Sequence, residues 1–219
     1  MKVAVVSATR DAPKGFQMPS LTMAERAFSC PVKCFPIFEN KRGLSEAYND
    51  FLDSHKNEFD CVLFIHDDLT IRDTTINEQL ESAMKEGYDV VGIAGSKAYR
   101  IPDPNVPTGW WSPVNAQCGM AGQVLHGGKT CMTTSYGPSP ARVLVIDGCF
   151  ICLLNRGLEL RFDSQFDFNH YDMDLCLQAY QRGMKVGAFP ILCAHDSPGN
   201  GFKSPSFLES QQRLCEKWF

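Results

Sequence analysis

Residues 62–71, VLFIHDDLTI, run from Val62 to Ile71 and decide how the rest of the chain is read. The apolar start reads as a strand buried on both faces, and it ends abruptly in His66, Asp67 and Asp68. In an open α/β sheet, ligands bind beyond the carboxyl ends of the strands, so a polar cluster at such an end is placed for chemistry. Two adjacent carboxylates repel, and a divalent cation is a natural compensation. Mg²⁺ and Mn²⁺ favour oxygen ligands, commonly one or two carboxylates together with substrate phosphates. Taken alone, an Asp-Asp pair is better explained as a turn and a cap. The functional reading therefore rests on what accompanies it.

Upstream, KVAVVSAT (2–9) is a β-branched run suited to a buried strand, followed by a loop from Asp11 to Gly15 and a first crossover. SEAYNDFLDSHK (45–56) sets Ala47, Tyr48, Phe51 and Leu52 at helical spacing, with Ser45 available as N-cap. Downstream, Thr74 to Glu86 reads as an amphipathic helix closed by Gly87, and YDVVGIAG (88–95) as a strand with a glycine end. This β-α-β alternation predicts a parallel sheet.

Residues 99–139 behave differently. They gather Pro102, Pro104, Pro107, Trp110, Trp111, Pro113, Gly119, Gly127 and Gly128, the composition of a long loop with at most a short hairpin. Loops of that length are usually functional, and two tryptophans suggest a ligand-covering role. ARVLVIDGCFICLL (141–154) reads as a strand or hairpin carrying Asp147. A helix from Asp172 to Arg182 ends at Gly183. KVGAFPILCAHDSPG (185–199) supplies a last strand and a glycine turn, and SFLESQQRLCEKWF (206–219) a short helix. With no repeat, low-complexity tract or linker-like shift, one domain is expected.

With 44% hydrophobic and 21% charged residues among 219, the chain can bury one sizeable core. A net charge of −4 provides no basic field for nonspecific binding to nucleic acid or an anionic membrane. No apolar run is long enough to cross a bilayer, and the start turns polar too soon for a signal peptide, so a cytoplasmic protein is expected. Cys61, Cys149, Cys152 and Cys193 sit in apolar segments and read as buried, reduced thiols. The pairs Cys30/Cys34 and Cys149/Cys152 are spaced closely enough to raise zinc or redox chemistry. The second lies on a strand, where i and i+3 face opposite ways and chelate poorly.

Two further clusters keep the first strand end company. In FDFNHYDMDLCL (166–177), Asp172 and Asp174 open a helix after His170. Helix N-termini favour carboxylates, so capping explains one of them. Residues i and i+2 lie about 200° apart around a helix, so only one of the two can face a site. In ILCAHDSPGN (191–200), an apolar strand ends in His195 and Asp196. Three strand ends delivering carboxylates or imidazoles can meet at one edge of a sheet.

Together, VLFIHDDLTI, DVVGIAG, the Trp110-Trp111 loop, VLVIDGCFI, RFDSQFDFNHYDMDLCLQAYQRGMKVG and AHDSPGN resemble the glycosyltransferase-like branch of glycosyltransferase family 2. The resemblance covers residues 45–219 in consistent order. FNHYDMDLCLQAYQRG (168–183) is its most specific part, and the first 44 residues match loosely.

The resemblance implies a single GT-A domain over 1–219, an α/β, Rossmann-like fold of nucleotide-diphospho-sugar transferases with a mostly parallel central sheet flanked by helices. Residues 1–98 would be its nucleotide-binding part and 99–219 its acceptor-side part with the long loop 99–139. It implies a nucleotide-sugar donor, UDP-linked foremost, with Mn²⁺ or Mg²⁺ on its diphosphate.

His66-Asp67-Asp68 takes the place of the family's DxD motif, which makes Asp68 a metal ligand and sets Asp67 on the donor. His195 falls where a second metal ligand follows the last core strand. Tyr171-Asp172 stands for a Glu-Asp pair whose Asp is the general base of inverting members. Asp147 and the Gly148 backbone are matched to donor-sugar contacts, and Trp110 and Trp111 to sugar-face platforms or lid packing. By fold analogy Ser7, Thr9 and Arg10 lie near the nucleotide base.

His66 departs from the pattern, since an Asp is usual there. The acceptor is left open among a lipid-linked glycan, a protein and a modified nucleic-acid base. The competing readings are a metal-dependent nucleotide-sugar hydrolase or nucleotidyltransferase, and a non-enzymatic binding module.

Overall fold

The computed structural model describes residues 1–13, 18–127, 132–197 and 201–219. The expected glycine turn at 198–200, Gly128, and Lys14-Gly15 of the first loop lie outside the described residues.

β1 (Val3–Ala8) is buried along its whole length, as its run of small and β-branched residues requires. α1 (Pro19–Ala27) crosses over to β2 (Val32–Ile37), which pairs parallel with β1. α2 (Leu44–Ser54) then buries Ala47, Tyr48, Phe51 and Leu52, the face its spacing predicts. Its start differs from expectation. Gly43 is the N-cap, and Ser45 lies inside the helix with its hydroxyl donating to the Phe166 carbonyl. Leu44 N–H donates to the Asp167 carbonyl at 2.7 Å, and a Cβ on Gly43 would come within 2.7 Å of the Asp167 carboxylate. The helix entrance is thus shaped by docking on residues 166–167, which local capping rules do not see.

β3 (Cys61–Ile65) is wholly buried and pairs parallel with β1. Phe64, fully buried and stacked on Tyr48 at 4.3 Å, anchors α2 to the sheet, and truncating it to Ala would cost about 3–5 kcal/mol. After a turn at 66–68 the chain enters β4 (Leu69–Ile71), then α3 (Ile76–Lys85), closed by Gly87 at φ +76°.

Three stretches expected as two single strands and a strand or hairpin are divided further. YDVVGIAG becomes β5 (Val90–Gly92) and β6 (Ala94–Ser96), which join different sheets. Residues 99–139 are also more ordered than a loop. They hold a short helix α4 (Pro113–Ala116), β7 (Met120–His126) and β8 (Thr133–Gly137), with β7 and β8 paired antiparallel. Gly122, at φ +89°, carries the register shift of that pair, and a Cβ there would collide with the Ile93 carbonyl. Such a bulge breaks the two-residue alternation by which a strand is recognised. ARVLVIDGCFICLL divides into β9 (Ala141–Arg142), β10 (Val145–Ile146) and β11 (Phe150–Leu154) around the turn that holds Asp147 and Gly148.

α5 (Tyr171–Gln181) is followed by Gly183 at φ +65°. KVGAFPILCAH forms β12 (Val186–Ala188) and β13 (Cys193–His195), separated at Pro190, which cannot donate to a ladder. α6 (Pro205–Trp218) closes the chain, with Ser204 as a side-chain N-cap accepting from Phe207 N–H.

The larger sheet has the order β2-β1-β3-β11-β5-β12-β9. β2, β1, β3, β5 and β12 share one direction, while β11 and β9 oppose it, so the sheet is mixed but mostly parallel, with helices packed against it. A second sheet, β10-β6-β7-β13-β4, lies at the end where β3 and β5 finish. Every described cysteine is a free thiol; Cys61, Cys149, Cys152 and Cys193 are buried, whereas Cys30 and Cys34 are partly exposed.

Candidate functional site

Beyond the end of β3 lies a cavity of about 400 Å³. Its wall includes His66, Asp67 and Asp68 from the β3–β4 turn, Asp147 and Gly148 from the β10–β11 turn, and Asp172 at the start of α5. His195, at the end of β13, completes this group. Trp110 and Trp111 contribute as well. The three clusters separated in sequence therefore meet. Of the N-terminal candidates, Ser7 and Thr9 are buried and Arg10 is exposed, and none of the three is among the lining residues; their neighbour Ala8 is.

The pairing of β13 with β4 explains one meeting: His195 lies opposite Leu69, and Asp196 N–H donates to the Asp68 carbonyl. His195 Nε2 consequently sits 3.2 Å from Asp68 Oδ1, and His66 Nδ1 sits 4.0 Å from the same oxygen. Neither Asp68 Oδ1 nor His195 Nε2 makes a directed hydrogen bond, although both are buried. Burial alone would raise the Asp68 carboxyl, but its contact with His195 outweighs that and holds it low. Burial would lower His195, yet Asp68 and Asp147 push it up. His66 is held low by burial and then by the charge of His195.

One ligand atom from each of His66, Asp68 and His195 falls within 4.8 Å of the others. Two imidazoles and a carboxylate, with Asp68 Oδ1 and His195 Nε2 buried and free of a directed hydrogen bond, form a donor set that fits a divalent ion. His66 was the member that departed from the motif, and it stands beside the two expected ligands. The signal was in its spacing, because residues 66 and 68 can both turn toward one site from a strand end.

Asp172 and Asp174 divide as the helix period requires. Asp174 is fully buried, accepts from Gln178 Nε2 and Trp218 Nε1 at 2.8 Å, and pairs with Lys217 at 2.7 Å, which fastens α6 to α5. Asp172 faces the cavity and accepts from the Met173 N–H at 2.9 Å. Burial and then the charge of Asp147 raise its carboxyl to about 7, against the backbone donors around it. A carboxylate with that affinity for protons suits a general base near neutrality. Gly148 is required beside it, since a Cβ would lie 2.6 Å from the Tyr171 hydroxyl and 2.9 Å from Asp172 Oδ2.

Asp147 is held by two donors, the Cys149 N–H at 2.9 Å and the Trp110 indole N–H at 3.1 Å. Burial would raise it, but His195 and the Cys149 N–H hold it low, so it stays charged. Trp110 is buried against Tyr136, while Trp111 is 43% exposed at the cavity mouth with Phe168 and Phe202. The Trp loop is pinned from behind. Gln211 of α6, fully buried, accepts from Thr108 N–H and donates to the Pro104 and Val106 carbonyls. Asn115, also fully buried, bonds to the backbone of Arg100 and Gly109. Neither residue was singled out from the sequence, because a buried amide carries no local pattern.

No protein-family model matches this sequence, and no curated protein matches it. Solved structures do resemble the fold. GalNAc-T7, whose crystal structure holds UDP, GalNAc and Mn²⁺, is 11% identical with a TM-score of 0.57, covering 99% of this chain and 48% of that one. S. aureus TarS is 13% identical with a TM-score of 0.54, covering 98% of this chain and 39% of that one. Its fragment 1-349 is 13% identical with a TM-score of 0.51, at 90% and 61%. The chain spans about half the length of these proteins, and at such identities the likeness establishes the fold. It is the GT-A type of nucleotide-sugar transferases, as the sequence motifs implied. No helix among the described residues is long and apolar enough to cross a membrane.

Proposed function

We propose that this chain is a metal-dependent glycosyltransferase akin to the glycosyltransferase-like branch of family 2. It transfers a sugar from a nucleoside-diphosphate sugar, UDP-linked foremost, to an acceptor hydroxyl with inversion, using Asp172 as base. Residues 1–98 serve the nucleotide and 99–219 the acceptor. The observation that carries this reading is one cavity wall holding both the His66-Asp68-His195 cluster and a separate carboxylate raised to about 7, Asp172.

The charge of the cavity supports a metal. No Lys or Arg is among its described lining residues, whereas Asp67, Asp68, Asp147 and Asp172 are. A diphosphate entering such a site needs a cation to offset repulsion. The residues that would hold it are Asp68, His195 and His66, and two imidazoles favour Mn²⁺ over Mg²⁺. When bound, the ion would stabilise negative charge on the departing diphosphate.

The chain's own residues do the rest. Asp172 takes the proton of the acceptor hydroxyl as that oxygen attacks the anomeric carbon. Asp147, fixed by Trp110 and the Cys149 N–H, is oriented to accept from hydroxyls of the donor sugar. The exposed face of Trp111 offers an apolar platform for a sugar ring.

The test is a thermal-shift screen of nucleotide sugars with Mn²⁺ and again with EDTA, followed by product analysis with and without acceptors. Metal-dependent stabilisation by a UDP-sugar and acceptor-dependent product support the reading. Sugar release at the same rate without acceptor would favour a hydrolase.

A further inference from the structure

Tyr171 occupies the first residue of α5, immediately before Asp172, and its side chain is buried to within 2%. Its hydroxyl lies 2.8 Å from the Gly148 carbonyl oxygen and 2.9 Å from His66 Nε2. A phenol has one proton to give. The Gly148 carbonyl can only accept, so the proton goes there, and the hydroxyl's lone pair is left for His66. His66 therefore carries its own proton on Nε2 and donates it to Tyr171.

The consequence falls on the other ring nitrogen. With Nε2 protonated and the imidazole neutral, Nδ1 is a bare lone pair, 4.0 Å from Asp68 Oδ1, which is itself a buried acceptor without a directed hydrogen bond. Two acceptors cannot hydrogen-bond to each other at any distance, so the pair calls for a cation between them. The gap is what two metal–ligand bonds of about 2.1 Å span.

We propose that Tyr171 is a positioning residue: its hydroxyl, anchored on the Gly148 carbonyl, fixes His66 in the Nε2–H form and aims Nδ1 at the space shared with Asp68 and His195. His66 is thereby a third ligand beside Asp68 and His195. The same residue ties three parts of the site together. It joins the β3 end through His66, the Asp147-Gly148 turn through the Gly148 carbonyl, and the base Asp172 as its chain neighbour. Outer hydrogen bonds of this kind commonly orient histidine ligands and set their affinity. The inference rests on the metal-centre reading above for its last step, but not for the tautomer.

The test has two arms. In the first, the full chain, metal-free and labelled with ¹⁵N-histidine, is examined at pH 8 by long-range ¹H–¹⁵N correlation, with His66→Asn used for assignment. His66 is expected as the Nε2–H tautomer in the wild type and as a mixture in Tyr171→Phe. A wild-type His66 protonated on Nδ1 overturns the proposal, whether or not the variant folds. In the second arm, Mn²⁺ titrations by calorimetry compare the wild type with Tyr171→Phe. Affinity is expected to fall about 10- to 100-fold with the circular dichroism unchanged. Equal affinity within twofold overturns the positioning role. A wild type that binds no Mn²⁺ overturns the metal-centre reading, and the tautomer arm still judges Tyr171.

Discussion

His195 Nε2 lies 3.2 Å from Asp68 Oδ1 because β13 and β4 pair antiparallel, with His195 opposite Leu69. That register brings together residues more than a hundred positions apart, and in the absence of metal it leaves His195 raised and Asp68 lowered by their mutual attraction against the cost of burial. Metal binding must displace a proton from His195. Mn²⁺ affinity should therefore weaken as pH falls below the raised range of His195, and a titration series across pH 5.5 to 8.5 checks it. An affinity independent of pH would contradict this use of His195.

Asp172→Asn should leave donor binding within about twofold and reduce transfer by about 10²- to 10⁴-fold, the usual worth of a general base. Calorimetric donor binding and product formation measure the two effects separately. Transfer at the wild-type rate would remove Asp172 from the role of base.

The acid limb of the wild-type rate profile should fall through about pH 7, where Asp172 takes up its proton. The same group gives a stability signature. Its carboxyl binds a proton more readily folded, at about 7, than its ordinary value of 3.8, so the folded state holds more protons between these values. Its contribution to stability is accordingly lost as pH rises from about 4 to about 7. Asp172→Asn should raise Tm relative to wild type at pH 8, with the difference closing toward pH 4. A constant difference across that range would argue against the raised carboxyl.

Gly148→Ala places a methyl group 2.6 Å from the Tyr171 hydroxyl and 2.9 Å from Asp172 Oδ2. Overpacking of this kind costs about 1–3 kcal/mol, and here it also pushes on the Asp172 carboxylate. Denaturant unfolding and activity should both show the loss, with activity falling further than stability alone explains.

The sheet and the site were legible to different depths. The β1 and β3 runs, the α2 face and the Gly87 and Gly183 stops follow from local periodicity and backbone freedom, and each appears where the sequence predicts it. The division of Asp172 from Asp174 followed from helix geometry alone. What the sequence concealed was set by tertiary contact. Ile93 separates two strands that belong to different sheets, Gly122 hides β7 behind a bulge, and Gly43 starts α2 because residues 166–167 receive it. His66 looked like the weakest member of its motif because an Asp was expected there, although its ring reaches the same oxygen as His195. Gln211 and Asn115 position the Trp loop through backbone hydrogen bonds that no side-chain pattern announces.

Gln211→Ala removes three hydrogen bonds to residues 104–108 and leaves the Thr108 N–H unpaired, at a cost of about 2–4 kcal/mol. Because those bonds hold the segment leading to Trp110 and Trp111, sugar-nucleotide affinity should fall as well. Thermal unfolding and donor titration check both, and loss of stability with affinity unchanged would separate the loop from the site.

The most direct test of the central claim is calorimetric titration of UDP into the wild type and Asp68→Ala, each with Mn²⁺ and with EDTA. The account predicts binding heat for the wild type with Mn²⁺ and its loss on chelation or on replacing Asp68. Equal binding in all four titrations, or none in any, would contradict it.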